Sequence, residues 1–326
     1  MIRDPGQDSG GRWKGQACVA DRSEQQQKHT AVFHLPGLFE DLELYRHFLP
    51  LFYSHREYFY DWCTIGSLYG APAGCLWGGG RVGEGNVSAR DVLSLTESYG
   101  ISARLTFSNL LLTPSHLSDP FCNRLCEIFS EGSGRNGVIT GSDLLTTYLS
   151  EHYPKLYLIS STTKVLTHFQ DLKSEIQRPE YTFVVPDFRL NRDFKDLETL
   201  SRPEKEKVEF LVNECCDFGC SQRKACYEAV SRECLGEVGA EAAHRCPSKH
   251  AGEGYVFSRA MENPGFISRE DIRDVYLPMG FSDFKIEGRG LGSALILEFL
   301  LYYLTKPECQ LKVREAIYLG NELDLF

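Results

Sequence analysis

Apolar residues fall into eight short runs, separated by longer segments whose apolar positions recur with a helical period. The runs are AVFHLP (31–36), WCTIGSLY (62–69), SARLTF (102–107), GVITG (137–141), LYLIS (156–160), YTFVVP (181–186), VEFLVN (208–213) and FKIEGR (284–289). They are largely apolar on both faces, as parallel strands covered on two sides must be. Helix starts lie between them: Ser88 precedes a helical run through Leu95, and Ser115 precedes His116 to Phe129. Ser142 precedes DLLTTYLSEHY, and Ser268 with Asp271 forms a capping-box pattern before IRDVYLPMG. Strand then helix, eight times over, predicts an α/β fold of the (β/α)8 TIM-barrel type, possible irregularities included, with a doubly wound open sheet as the alternative.

The apolar run LGSALILEFLLYYL (291–304) is too short to span a bilayer and carries Glu298, so it reads as a helix packed on the sheet and no membrane association is expected. Residues 1–30 are polar and rich in Gly and Gln, without the apolar stretch of a signal peptide, and read as a flexible leader. The remainder, 31–326, is expected to be one barrel domain with a cysteine-rich insertion at about 214–267. The chain has 326 residues, 42% hydrophobic and 25% charged, ordinary for a globular protein. A net charge of −10 argues against broad binding to nucleic acid or anionic lipid, so a nucleic-acid partner is open but not favoured. With no export signal, the twelve cysteines are expected in the reducing cytoplasm, where clustered thiols are more often metal ligands or redox groups than disulfides.

In a barrel every strand's C-terminal end faces one mouth, where such folds keep their chemistry. The predicted ends bring there His34, Ser67, Thr106, Ser142, the SSTTK run Ser160 to Lys164, Asp187, Asn213 with Glu214, and Glu287 with Arg289. Each has a bland reading beside the functional one. His34 is the lone histidine at a strand end and so the candidate general base, although a single histidine is more often structural. Arg289, held by Glu287, has the planar fork that grips a carboxylate or phosphate; a structural ion pair is equally good. Asn213 and Glu214 are candidates to position substrate or tune a metal centre, against a loop-capping role for Glu214. The hydroxyls and Lys164 of SSTTK can cradle an anion or cap a helix. Lys285 alternates with Glu287 and is expected to point into the barrel.

The seventh run ends in VNECCDFGCSQRKAC, giving Cys215, Cys216, Cys220 and Cys226, followed by Cys234 and Cys246. There is no pair of CxxC knuckles, so a zinc ribbon is disfavoured, and no CxxxCxxC triplet of radical-SAM type. Scattered thiolates on an irregular loop suit a cubane cluster better. Cys122 and Cys126, one helical turn apart, read as packing, and Cys226 and Cys234 are open to the same reading. From spacing alone, bound metal and unligated thiols stand at even odds.

The stretches FLVNECCDFGCSQRKACYEAVSRECLGE and FSDFKIEGRGL, together with YDWCTIGSLYGAPAGCLWGGGR, resemble the collagenase-like peptidase family, peptidase family U32, and within it an uncharacterised bacterial branch. The resemblance covers most of 31–305, and Lys-Ile-Glu-Gly-Arg is its most specific part. It implies a barrel carrying a [4Fe-4S] cluster, with zinc as the alternative metal, and oxygen-independent hydroxylation or other redox chemistry on a small or nucleobase-like substrate. A redox partner protein is a further implied partner. Cys216, Cys220 and Cys246 are the implied ligands. Cys75, Cys215 and Cys226 compete for the fourth place, and Cys75 is preferred because the second strand's loop should open at the mouth. Later cysteines are spaced differently from the better-known members, so fourth ligand and substrate are not fixed by it. Two other classes stay open: a carboxylate-based hydrolase, peptidase- or glycosidase-like, using Asp187, Glu214 and Glu287, and a non-enzymatic metal-stabilised partner subunit.

Overall fold

Each of the eight apolar runs overlaps a strand. They are β1 (Ala31–Pro36), β2 (Cys63–Gly70), β3 (Ser102–Phe107), β4 (Gly137–Thr140), β5 (Tyr157–Ser160), β6 (Tyr181–Val184), β7 (Glu209–Leu211) and β8 (Asp283–Lys285). All pair in parallel in the order β6-β5-β4-β3-β2-β1-β8-β7. A single bridge, Val184 with Val208, joins the two ends, where the Val184 N–H donates to Lys207 O at 2.7 Å. The result is an irregular (β/α)8 barrel, closed almost completely, and the open sheet is set aside. The computed structural model describes residues 30–79, 87–237, 244–248 and 250–320. Apart from Thr30, the expected leader lies outside them.

The helices are α1 (Leu42–Ser54), α2 (Ala89–Ser98), α3 (Pro120–Glu131), α4 (Asp143–His152), α5 (Phe169–Ile176), α6 (Arg223–Cys234), α7 (Ser293–Leu304) and α8 (Gln310–Gly320), with shorter turns between. Ser88 and Ser142 cap as expected, accepting from Asp91 N and Leu145 N, and Ser268 with Asp271 makes the full capping box. The third start moves. Ser115 lies inside a short 3-10 turn, and α3 begins at Pro120 with Asp119 accepting from Cys122 N. Proline supplies no N–H, which suits the first helical position. The apolar run near the C-terminus is α7, which buries Ile296, Leu297, Phe299, Leu300, Leu301, Tyr303 and Leu304. No helix among the described residues is long and apolar enough to cross a membrane.

Alternation along each strand divides two cores. Ala103, Leu105 and Phe107 of β3 face outward into the continuous layer between barrel and helices. The opposite parity fills the bore, where Tyr69, Ile139, Ile159, Val185 and Leu211 form a separate apolar layer near the mouth, packed on Tyr157 and Phe183. Gly137 makes room there, since a Cβ at that position would stand 2.7 Å from the Tyr157 ring. Beneath this layer the bore is charged.

Candidate functional site

The charged layer belongs to strands whose inward positions carry His34, Arg104, Glu209, Asp283 and Lys285. Glu209 accepts from Arg104 at 2.5 Å, and His34 Nε2 lies 3.0 Å from Asp283 and 3.5 Å from Glu209. His34 Nδ1 meets Ser67 Oγ at 2.8 Å, and Arg104 Nε donates to Tyr157 Oη at 2.7 Å. Burial alone would raise the Glu209 carboxyl, but Arg104, His34 and Lys285 hold it at about 2. Burial, reinforced by Arg104, lowers His34 against the opposite pull of Glu209 and Asp283. His34 is therefore a buried member of an ion network. Together with Arg104, Tyr157 and Asp283 it lines a cavity of about 480 Å³ among the residues that begin the strands, at the end opposite the mouth. His34 does not stand at the mouth, where a strand-end general base was expected: β1 runs two residues beyond it, which leaves the ring halfway down the bore.

At the mouth, Lys285 closes the floor of a cavity whose walls include Tyr69, Thr106, Ser161, Thr162, Glu214 and Arg289. Lys285 Nζ lies 3.3 Å from the Tyr69 ring centroid and 3.5 Å from Glu209 Oε1. Burial brings its amine down to about 7; Glu209 opposes that, whereas Arg104 and Arg289 add to it. Glu287 and Arg289 are brought to this cavity as expected. They stand just past β8 rather than on it, because the Glu287 N–H donates to Asn213 Oδ1 at 2.7 Å instead of to a neighbouring strand. Asn213 Nδ2 in turn donates to Glu287 O at 3.1 Å, and Tyr255 Oη donates to Asn213 O at 2.7 Å. Asn213 thus clasps the ends of β7 and β8 and ties the long insertion to them.

Lys164 does not join the mouth. Its Nζ donates to Glu175 at 2.7 Å, Asp143 at 2.8 Å and Tyr181 Oη at 3.0 Å, which anchors the loop after β5 to α4, α5 and β6. The anion-cradle expectation is corrected for the lysine, whose charge is spent on two carboxylates. Ser161, whose side chain accepts from Thr163 N, performs the capping.

Beside the mouth lies a second cavity of about 280 Å³, lined by Cys215, Cys216, Cys220, Cys226 and Cys246 together with His244 and His250. Glu214, Tyr227 and Glu287 line both cavities and form the wall between them. Glu214 caps the start of this thiol loop, accepting from Cys215 N at 3.1 Å and Cys216 N at 3.0 Å, and it pairs with Arg223. Arg223, missed in the sequence, is the organiser here. It is buried, pairs also with Asp187 at 3.5 Å, and lies over the Phe188 and Tyr227 rings. Asp187 is further held by Arg189 at 2.6 Å. Two of the three carboxylates of the hydrolase alternative are therefore engaged by arginines, and no observation favours that reading. Burial pushes the Cys216 thiol up to about 11, with Arg223 working against the rise.

Cys75 is elsewhere. It is buried in the helix layer with its Sγ 3.5 Å from Cys122 Sγ, and Cys234 Sγ approaches its carbonyl at 3.6 Å. The neighbouring Trp77 packs edge-on against Phe107 and Tyr148 and draws the loop outward, so the preference for Cys75 as fourth ligand is corrected. Cys122 and Cys126 are packing residues, as expected. Among the described residues, no three His, Cys, Asp or Glu side chains stand in a ligating arrangement. The thiols share a cavity rather than a point. Their chemistry fits a soft metal centre: five cysteines from an irregular loop and a helix line one cavity, beside the buried Arg223 guanidinium.

Comparison with solved structures finds the structure titled "The Structure of the U32 Peptidase Mk0906", aligned at a TM-score of 0.48 and 10% identity over 87% of this chain and 98% of that one. The chain is similar to that structure over most of both lengths; the barrel itself rests on its eight parallel strands. No family model and no curated protein matches the chain.

Proposed function

We propose that this chain holds a [4Fe-4S] cluster in the thiol cavity and uses it for oxygen-independent hydroxylation or related redox chemistry on a small or nucleobase-like substrate at the barrel mouth. The observation that carries the reading is the shared wall: Glu214, Tyr227 and Glu287 line both the five-thiol cavity and the mouth cavity. Cys216, Cys220 and Cys246 are the assigned ligands. Cys226 is assigned as the fourth in place of Cys75, since Arg223, Cys226 and Tyr227, all on α6, line the same cavity. When bound, such a cluster supplies one-electron transfer. The residues of the chain do the rest. Arg289 and the loop hydroxyls bind and orient the substrate, and Glu214 fixes the start of the ligand loop. Cys246, which is exposed, gives a redox partner protein access from outside. Zinc held by the same thiols is the competing metal, and a reducing compartment suits either.

The test is the visible spectrum of protein purified without oxygen. A broad absorbance near that of protein-bound cubanes, lost in Cys216→Ala and in Cys220→Ala, supports the reading. A colourless protein that binds zinc stoichiometrically overturns it.

A further inference from the structure

The mouth cavity contains an observation that a metal centre next door does not explain. Two buried polar atoms of residues that line it, Lys285 Nζ and Thr106 Oγ1, have no hydrogen-bond partner among the described residues. Lys285 is only 6% exposed, and its contact with Glu209 Oε1, at 3.5 Å, is a long ion pair rather than a hydrogen bond. Burying an amine without a hydrogen bond costs stability, and a barrel strand end is where such strain serves chemistry. The Tyr69 ring would hold a cation in place, yet leaves the amine's remaining positions open to the cavity. The enclosed volume is about 40 Å³. That is room for about three water molecules, so an occupant of two or three carbons fits, and a bulky one must remain largely outside.

We propose that Lys285 is a carbonyl-capturing amine, forming an imine with a small 2-oxo acid or aldehyde acid whose anionic group is held by Arg289. The amine nitrogen adds to the carbonyl carbon, the carbonyl oxygen takes up a proton, and the resulting carbinolamine loses one water to give the imine. Thr106 Oγ1 donates to the oxygen that leaves. The hydroxyls of Ser161, Thr162 and Thr163 line the same cavity and exclude bulk solvent from one wall. Imine formation needs an unprotonated amine at the working pH, and burial brings Lys285 to about 7. The charged and titratable groups around it are Glu209 from β7, Arg104 from β3, Tyr69 from β2, Glu214 after β7, Tyr227 from α6, and Glu287 and Arg289 after β8. No thiol lines this cavity, although Glu214, Tyr227 and Glu287 form a wall that it shares with the thiol cavity.

The experiment is reductive trapping on the full chain with glyoxylate and with pyruvate. Borohydride delivers hydride to the imine carbon and fixes a secondary amine, which peptide mass mapping then locates. The expected result is one adduct per chain, at Lys285, with a trapping rate that rises as pH increases through about 7. Lys164→Met, which removes a lysine of the helix layer, leaves the adduct unchanged. Thr106→Val slows trapping about tenfold through loss of one hydrogen bond to the leaving oxygen. Absence of any adduct on the wild-type chain overturns the proposal. So does labelling spread over exposed lysines with a rate that rises only towards pH 10.

Discussion

At the scale of single residues, the bore is governed by Glu209. It is fully buried, it answers two cations and a histidine, and it is the residue on which the lower layer of the barrel depends. Replacing it with glutamine leaves Arg104 as an uncompensated buried charge, so Glu209→Gln is expected to cost about 3–5 kcal/mol in denaturant unfolding. The pH dependence has a definite sign. The folded value of about 2 lies below the ordinary 4.5, so this carboxylate contributes its full stability above pH 4.5 and loses it as pH falls from there towards 2. The acid limb of the unfolding curve should therefore be less steep in Glu209→Gln than in the parent chain. Arg104 and Glu209 went unread in SARLTF and VEFLVN, although a lone charge inside an otherwise apolar run is the signal that could have pointed to this layer. Their pairing across 105 residues was not readable, nor was the bond from His34 to Asp283 across 249. Cys75 and Lys164 were misplaced for the same reason: the partners that capture them, Cys122, Asp143, Glu175 and Tyr181, come from other elements.

At the scale of elements, the rhythm of apolar runs carried the fold, because both-face burial marks parallel strands without any knowledge of partners. Boundaries were legible where local chemistry sets them, as at Ser88 and Ser142. They shifted where a competing local signal won. Pro120 and Asp119 together outrank Ser115 as the start of α3, and Asp119→Ala is expected to lower stability by about 1 kcal/mol through loss of the cap, read as a shift of the thermal midpoint. The run FKIEGR overreached, because β8 stops pairing once the Asn213 side chain takes the Glu287 N–H. That clasp delivers Glu287 to the mouth. In the insertion, α6 presents Arg223, Cys226 and Tyr227 to the thiol cavity, which separates it from Cys75 in the helix layer. Cys226→Ala should therefore lose bound iron, whereas Cys75→Ala should retain it and show only the stability loss of a core substitution. Equal iron content in the two variants would remove Cys226 from the ligand set.

At the scale of the whole molecule, the barrel places two cavities side by side at its C-terminal end, one floored by an amine, the other lined with thiols. Three residues, Glu214, Tyr227 and Glu287, form the partition. On the proposed function that arrangement would couple a substrate at the mouth to the group the thiols hold, so the nature of that group decides it. The decisive measurement is the content of iron, acid-labile sulfide and zinc per chain in protein purified under strict exclusion of oxygen. About four iron and four sulfide per chain, with little zinc, are expected. Zinc in their place, or no metal at all, would contradict the proposed function and leave the thiols as structure alone.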